Sequence, residues 1–266
     1  MKITMLGTGH AVVTECYNTC FVISDDNRHF LVDGGGGMEI LRQLKQVHIP
    51  VNDIHEIFVT HKHIDHLLGI VWMMRLITSG MHAGKYEGDA YIYAHDEVIS
   101  ILHNIAEETL GAPLTSFIGN RLHLVAVADK EEKTIIGKKV TFFDIHSTKA
   151  KQFGFCMDMG DGRKLSCCGD EPCSSSCYPY VENSEWLLHE AFCLYSQADI
   201  FAPYEKHHST AKDASELAEK LHVKNLLLYH TEDKNIKNRK ELYTAEGHQY
   251  FSGNLYVPYD LETLEL

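Results

Sequence analysis

The run Ile57-Phe58-Val59-Thr60 has the β-branched and aromatic character of a buried strand, and it passes without a spacer into His61-Lys62-His63-Ile64-Asp65-His66. Four side chains able to bind a metal lie within those six positions. A straight strand or helix would spread them over several faces, whereas a loop leaving a strand end can turn them toward one point. Neutral imidazoles with a carboxylate are the ligands a zinc-like ion prefers. The fold must therefore place a buried strand so that its end opens onto a site. The 18 histidines among 266 residues point the same way.

The rest of the chain alternates strand runs with helices. Lys2–Leu6, Cys20–Ser24 and His29–Val32 read as strands, with Asp25-Asp26-Asn27 as a hairpin turn. Asp33-Gly34-Gly35-Gly36-Gly37 breaks the pattern, and Met38, Leu41, Leu44 and Val47 follow at helical spacing until Pro50. The four glycines lack the spacing of a phosphate cradle and read as a tight turn. A helix is expected from about Leu67 to Ser79, closed by Gly80, and another to about Leu110, capped by Asp96. Ala90–Ala94, Leu122–Val127, Lys139–Ile145, Phe153–Met157, Lys164–Cys167, Trp186–His189 and Asn225–Tyr229 are further strand candidates, and Thr210 starts a helix. Strands dominate both halves and each half carries helices, which suits a layered α/β protein with two sheets. No Pro/Ser-rich linker or repeat interrupts residues 1–266, so a single domain is expected.

Composition excludes several classes. With 44% apolar and 23% charged residues the chain is not disordered. A net charge of -13 argues against gripping nucleic acid with the whole surface, although bound cations in a cleft would still admit a phosphate substrate. The N-terminal apolar run is too short for a signal peptide, and no window has the 18 or more apolar residues of a membrane span. Eight irregularly spaced cysteines do not suggest a secreted disulfide scaffold. The expectation is a reduced cytoplasmic protein with no membrane partner.

His61-x-His63-x-Asp65-His66 resembles the signature of the metallo-β-lactamase superfamily, whose fold is an αββα four-layer sandwich with a metal site at one edge. Later residues match that family's motifs in order: Asp33 its early structural aspartate, His146 its third-motif ligand, Asp170 its bridging carboxylate and His230 its last histidine. The resemblance implies two divalent ions, zinc first, with manganese or iron(II) as alternatives. His61, His63 and His146 would hold one, Asp65, His66 and His230 the other, and Asp170 would bridge them. Leu187-Leu188-His189-Glu190-Ala191-Phe192 and His208-Ser209-Thr210-Ala211 resemble motifs of the RNase Z group, the tRNA 3′-end endonucleases. That resemblance implies a phosphodiesterase using a metal-bridging hydroxide, with Asp65 orienting it. His208, backed by Glu190, would assist the leaving oxygen. It also implies a homodimer.

The chain departs from that group in three places. Only 23 residues separate His146 from Asp170, too few for the long tRNA-binding arm; Tyr17 stands where the group has Arg; and Phe192 replaces a Thr. The substrate expected is therefore a small phosphodiester or an RNA 3′ end. Rival readings on the same fold are hydrolysis of a carboxyl ester, lactone or thioester, iron-based redox chemistry, and a non-catalytic metal-binding module. The filled ligand positions speak against the last. Cys167, Cys168, Cys173 and Cys177 flank Asp170 without any C-x-x-C pair, so thiols lining a turn are expected before a metal site or redox switch. The basic run Lys234–Lys240 reads as a solvated loop.

Overall fold

The computed structural model describes all residues, Met1–Leu266, and the chain forms two compact units. Met1–Gly7, Tyr17–Ala128 and Asp260–Leu266 make the first; Thr8–Cys16 and Asp129–Tyr259 make the second.

In the first unit the strands β1 (Lys2–Gly7), β2 (Cys20–Asp25), β3 (Arg28–Val32), β4 (Ile54–Phe58), β5 (Ala90–Ala94) and β6 (Leu122–Ala126) lie side by side in chain order. The chain's last strand, Thr263–Glu265, adds to the β1 edge. Pairing is antiparallel from that edge to β3 and parallel from β3 to β6. Parallel neighbours need crossovers, and the helices Glu39–Gln46, Ile64–His82 and Asp96–Thr109 supply them. Leu31, Ile57 and Ile92 of the sheet join Leu44, Ile70, Met74 and Leu102 of these helices in one buried core.

The second unit repeats this plan. Its strands β7 (Glu132–Ile135), β8 (Lys138–Asp144), β9 (Phe153–Gly160), β10 (Arg163–Cys167), β11 (Trp186–Glu190), β12 (Asn225–Tyr229) and β13 (Asn254–Tyr256) also lie in chain order. They are antiparallel up to β10 and parallel beyond it. Helix Ala211–Lys220 starts on a capping box: Thr210 Oγ1 accepts from Asp213 N, and the Asp213 carboxylate accepts from Thr210 N at 2.9 Å.

Three expectations are corrected. The long helix does not stop at Gly80 but runs from Ile64 to His82, so Asp65 and His66 occupy its first turn. The cap of the next helix is His95, not Asp96. In the basic run Arg239 is fully buried, donating to Thr231 Oγ1, Thr8 Oγ1 and Pro258 O at 2.7–2.8 Å. Only a folded chain brings those three acceptors to one guanidinium, so local sequence gave no sign of it.

Candidate metal centre

In each unit the site residues cluster where the parallel strands end. This follows the general rule that α/β sheets bind ligands outside the carboxyl ends of their strands.

In the first unit Asp33 follows β3, and Thr60 and His61 follow β4. The buried Asp33 carboxylate accepts from Thr60 N and Thr60 Oγ1, each at 2.8 Å, and faces His66 Nδ1 at 2.7 Å. Thr60 Oγ1 in turn lies 3.0 Å from His61 Nδ1. Asp33 thus ties the strand-end loop to the first turn of helix Ile64–His82. The ring of His61 lies with its centroid 4.4 Å from that of His63 and 4.2 Å from that of His66, and His66 Nε2 is 3.4 Å from Asp65 Oδ2. The loop therefore brings the four side chains together, as the motif predicts. Burial disfavours the His66 imidazolium, but Asp65 and Asp33 outweigh it and hold the group well above the ordinary histidine range.

The glycines after Asp33 permit this arrangement. Gly34 N donates to His66 O at 2.8 Å and Gly69 N to Gly35 O at 2.9 Å, so the turn and the helix touch backbone to backbone. Any Cβ on Gly69 would collide with the Gly34 carbonyl. Tyr17, the residue standing in place of the group's Arg, places its hydroxyl 2.8 Å from both the Gly34 and Gly37 carbonyl oxygens and pins the same turn.

In the second unit Asp170 follows β10, Glu190 ends β11 and His230 follows β12. Asp170 Oδ1 accepts from Gln152 Nε2 at 2.5 Å and its own N–H donates to Gln152 Oε1 at 2.7 Å, so one buried amide clamps both sides of the residue. Asp170 Oδ2 lies 3.7 Å from His230 Nε2. One ligand atom each from Glu190, His208 and His230 falls within 4.8 Å of the others, all three residues buried. Glu190 Oε1 accepts from Ser209 N, and Glu190 Oε2 stands 3.6 Å from His208 Nδ1. His208 stacks on Phe192 with ring centroids 4.7 Å apart and planes within 4°.

The same burial moves this pair in opposite directions. Desolvation raises the Glu190 carboxyl to about 7 and lowers the His208 imidazole to about 4, the latter helped by Lys149. Both shifts favour the uncharged forms.

Asp33, His146 and His230 share a left-handed backbone, with φ of +58°, +56° and +58°. Asp and His tolerate that region better than most residues, and strain of this kind gathers at functional sites. His146 nevertheless stands apart from the group in its own unit. It follows β8, its side chain is 62% exposed, and its Nδ1 is 4.0 Å from Asp144 Oδ1.

Sequence reasoning missed Gln152, Thr60 and His10. The His10 ring centroid lies 4.6 Å from that of Phe192 and 6.3 Å from that of His230, and burial lowers its imidazole to about 4. Its place after Leu6-Gly7-Thr8-Gly9 was the available signal; Gln152 carried none.

Solved structures share this architecture from end to end. The metallo-β-lactamase fold protein YhfI from Bacillus subtilis superposes with a TM-score of 0.79 at 18% identity, covering 100% of this chain and 99% of that one. The short form of human tRNase Z gives 0.75 at 19%, again covering 100% and 99%. Among curated relatives, Ribonuclease Z of Prochlorococcus marinus subsp. pastoris is 27% identical with both chains covered in full. Ribonuclease Z of Methanothermobacter thermautotrophicus is 26% identical over 86% of each. Fold, ligand clusters and relatives define an RNase Z-like metal-dependent hydrolase of the metallo-β-lactamase superfamily. Within that class the chain belongs to the family described as Anti-Pycsar protein Apyc1, whose model matches residues 1–251.

Proposed function

We propose that the whole chain acts as one phosphodiesterase domain on a small phosphodiester or an RNA 3′ end, in the cytoplasm. The observation that carries this reading is the buried Glu190–His208 pair beside His230. A departing alkoxide needs a proton, and a His–Glu pair next to metal ligands is placed to provide it. The residues fit a pair of divalent ions in donor type, imidazole nitrogen and carboxylate oxygen being the ligands zinc takes. By the order of the motifs, His61, His63 and His146 would hold one ion, Asp65, His66 and His230 the other, with Asp170 shared. Two such ions supply an activated water at neutral pH and neutralise charge on the phosphoryl oxygens. Asp65 would orient the attacking water, Asp33 fixes the His66 ring, and Gln152 holds the Asp170 carboxylate in place. The absent arm favours the small diester over tRNA. The chain's eight free thiols accord with a reducing compartment.

Hydrolysis of bis(p-nitrophenyl) phosphate by zinc-, manganese- or iron-loaded protein tests the proposal, with Asp65→Ala as the blank. Turnover that vanishes in the variant is expected. No turnover with any of the three metals would sink the phosphodiesterase reading and turn attention to esters and thioesters.

We also propose a homodimer. Ile64, Leu68 and Trp72 stand one helical turn apart on helix Ile64–His82, exposed by 68%, 36% and 37%, and such an apolar stripe invites a second copy. Light scattering is expected to give twice the chain mass for the native protein and the monomer mass for Leu68→Glu. A native monomer would refute the pairing.

A further inference from the structure

The loop after β8 brings a cation to the imidazole of His208. We propose that Lys149 is a substrate-contacting residue, its ammonium binding a non-bridging oxygen of the phosphate whose departing oxygen meets His208; this rests on the phosphodiesterase reading above. Lys149 Nζ lies 3.4 Å from His208 Nε2. An ammonium only donates, so this contact uses the Nε2 lone pair. A neutral imidazole is a poorer acceptor than an anionic phosphoryl oxygen, to which an ammonium makes a charge-assisted bond. Neighbouring oxygens of one phosphate sit closer together than these two nitrogens, so the pair can face two oxygens on the same phosphorus.

The loop is built to hold the lysine there. Lys149 is an exposed residue, yet its side chain turns inward and is only 22% exposed, whereas a surface lysine ordinarily keeps its ammonium in water. The anchor is Glu171, a buried carboxylate next to Asp170. Glu171 Oε1 accepts from Ser147 Oγ at 2.5 Å, and Oε2 accepts from Thr148 N at 3.4 Å. Ser147 Oγ in turn accepts from Lys149 N and Ala150 N, each at 3.2 Å. Thr148 Oγ1 lies 2.9 Å from His207 Nδ1, which ties the loop to the segment carrying His208. Lys149 Nζ itself is 3.9 Å from Glu171 Oε1, a long ion pair to an oxygen that Ser147 already occupies. Glu171 therefore shapes the loop through hydroxyl and amide donors, and the ammonium's nearer neighbour is His208.

The test compares native protein with Lys149→Met and Lys149→Arg, all zinc-loaded, by calorimetric titration with inorganic phosphate and by turnover of bis(p-nitrophenyl) phosphate. Lys149→Met is expected to weaken phosphate binding and to lower kcat/KM, each by about 10–100-fold, the range for losing a hydrogen bond between charged groups. Its metal content and urea midpoint should stay close to native. Lys149→Arg should recover most of both losses. The proposal is overturned if the native protein takes up no phosphate, or if Lys149→Met binds phosphate as the native protein does, whatever its turnover. A lower urea midpoint with unchanged phosphate affinity would mark a lysine that serves only Glu171, and overturns it likewise. Native protein without turnover, whose phosphate affinity still falls in Lys149→Met, would uphold the anion contact and sink the hydrolytic reading instead.

Discussion

Replacing Asp33 with alanine is expected to destabilise the folded protein by about 3–5 kcal/mol, the range for removing one partner of a buried, hydrogen-bonded charge pair. The carboxylate answers Thr60 N, Thr60 Oγ1 and His66 Nδ1 at once, and all of them are buried. Truncation leaves each without its acceptor in a place water does not reach, and every buried orphan costs about 1–3 kcal/mol. Urea unfolding measures the loss. A change below 1 kcal/mol would show that the loop reorganises around the gap and that Asp33 is not its tie. Asp33→Asn separates fold from site. Asparagine accepts the left-handed φ of +58° and its carbonyl can still receive Thr60 N, but its NH2 would face the proton on His66 Nδ1. The ring must then give up the tautomer that leaves Nε2 open. Stability close to native with metal affinity lowered about 10–100-fold is expected, the usual cost of losing a partner that orients a ligand.

The two-sheet α/β architecture could be read because each strand run is bounded by turn residues and each helix keeps its own period. Ala90–Ala94 and Asn225–Tyr229 were predicted to the residue. One boundary failed because a later glycine supplies the stop. Gly80 would end a lone helix, yet this one runs to His82 and stops at Gly84, whose left-handed φ of +65° lets Gly84 N donate to Met81 O and Lys85 N to Gly80 O. The histidine motif was legible because all its members lie on one loop. The residues that position it were not: Gln152 meets Asp170 from 18 residues away, Thr60 meets Asp33 from 27, and Arg239 meets Thr8 from 231. No local pattern encodes such pairs; sheet order does. Phe192 was noted as a departure from the RNase Z motif, but that it forms the shelf beneath His208 required the fold.

That shelf bears on the second large effect. His208→Ala is expected to lower kcat about 10²–10⁴-fold on a diester with an alkoxide leaving group, the span general-acid catalysis ordinarily covers. It should leave KM nearly unchanged. The same variant should lose little on bis(p-nitrophenyl) phosphate, whose leaving group departs without a proton. A purely structural role for His208 would depress both substrates alike, so the ratio between them decides the assignment. Glu190→Gln should show the same pattern more weakly. Glutamine can still accept from Ser209 N through its amide oxygen, but it offers His208 no carboxyl oxygen with which to exchange a proton. Phe192→Leu preserves the apolar contact and removes the parallel face on which the imidazole rests. If stacking aligns His208, that variant will lose rate selectively on the alkoxide substrate. If it loses equally on both, Phe192 supports the loop and not the proton transfer.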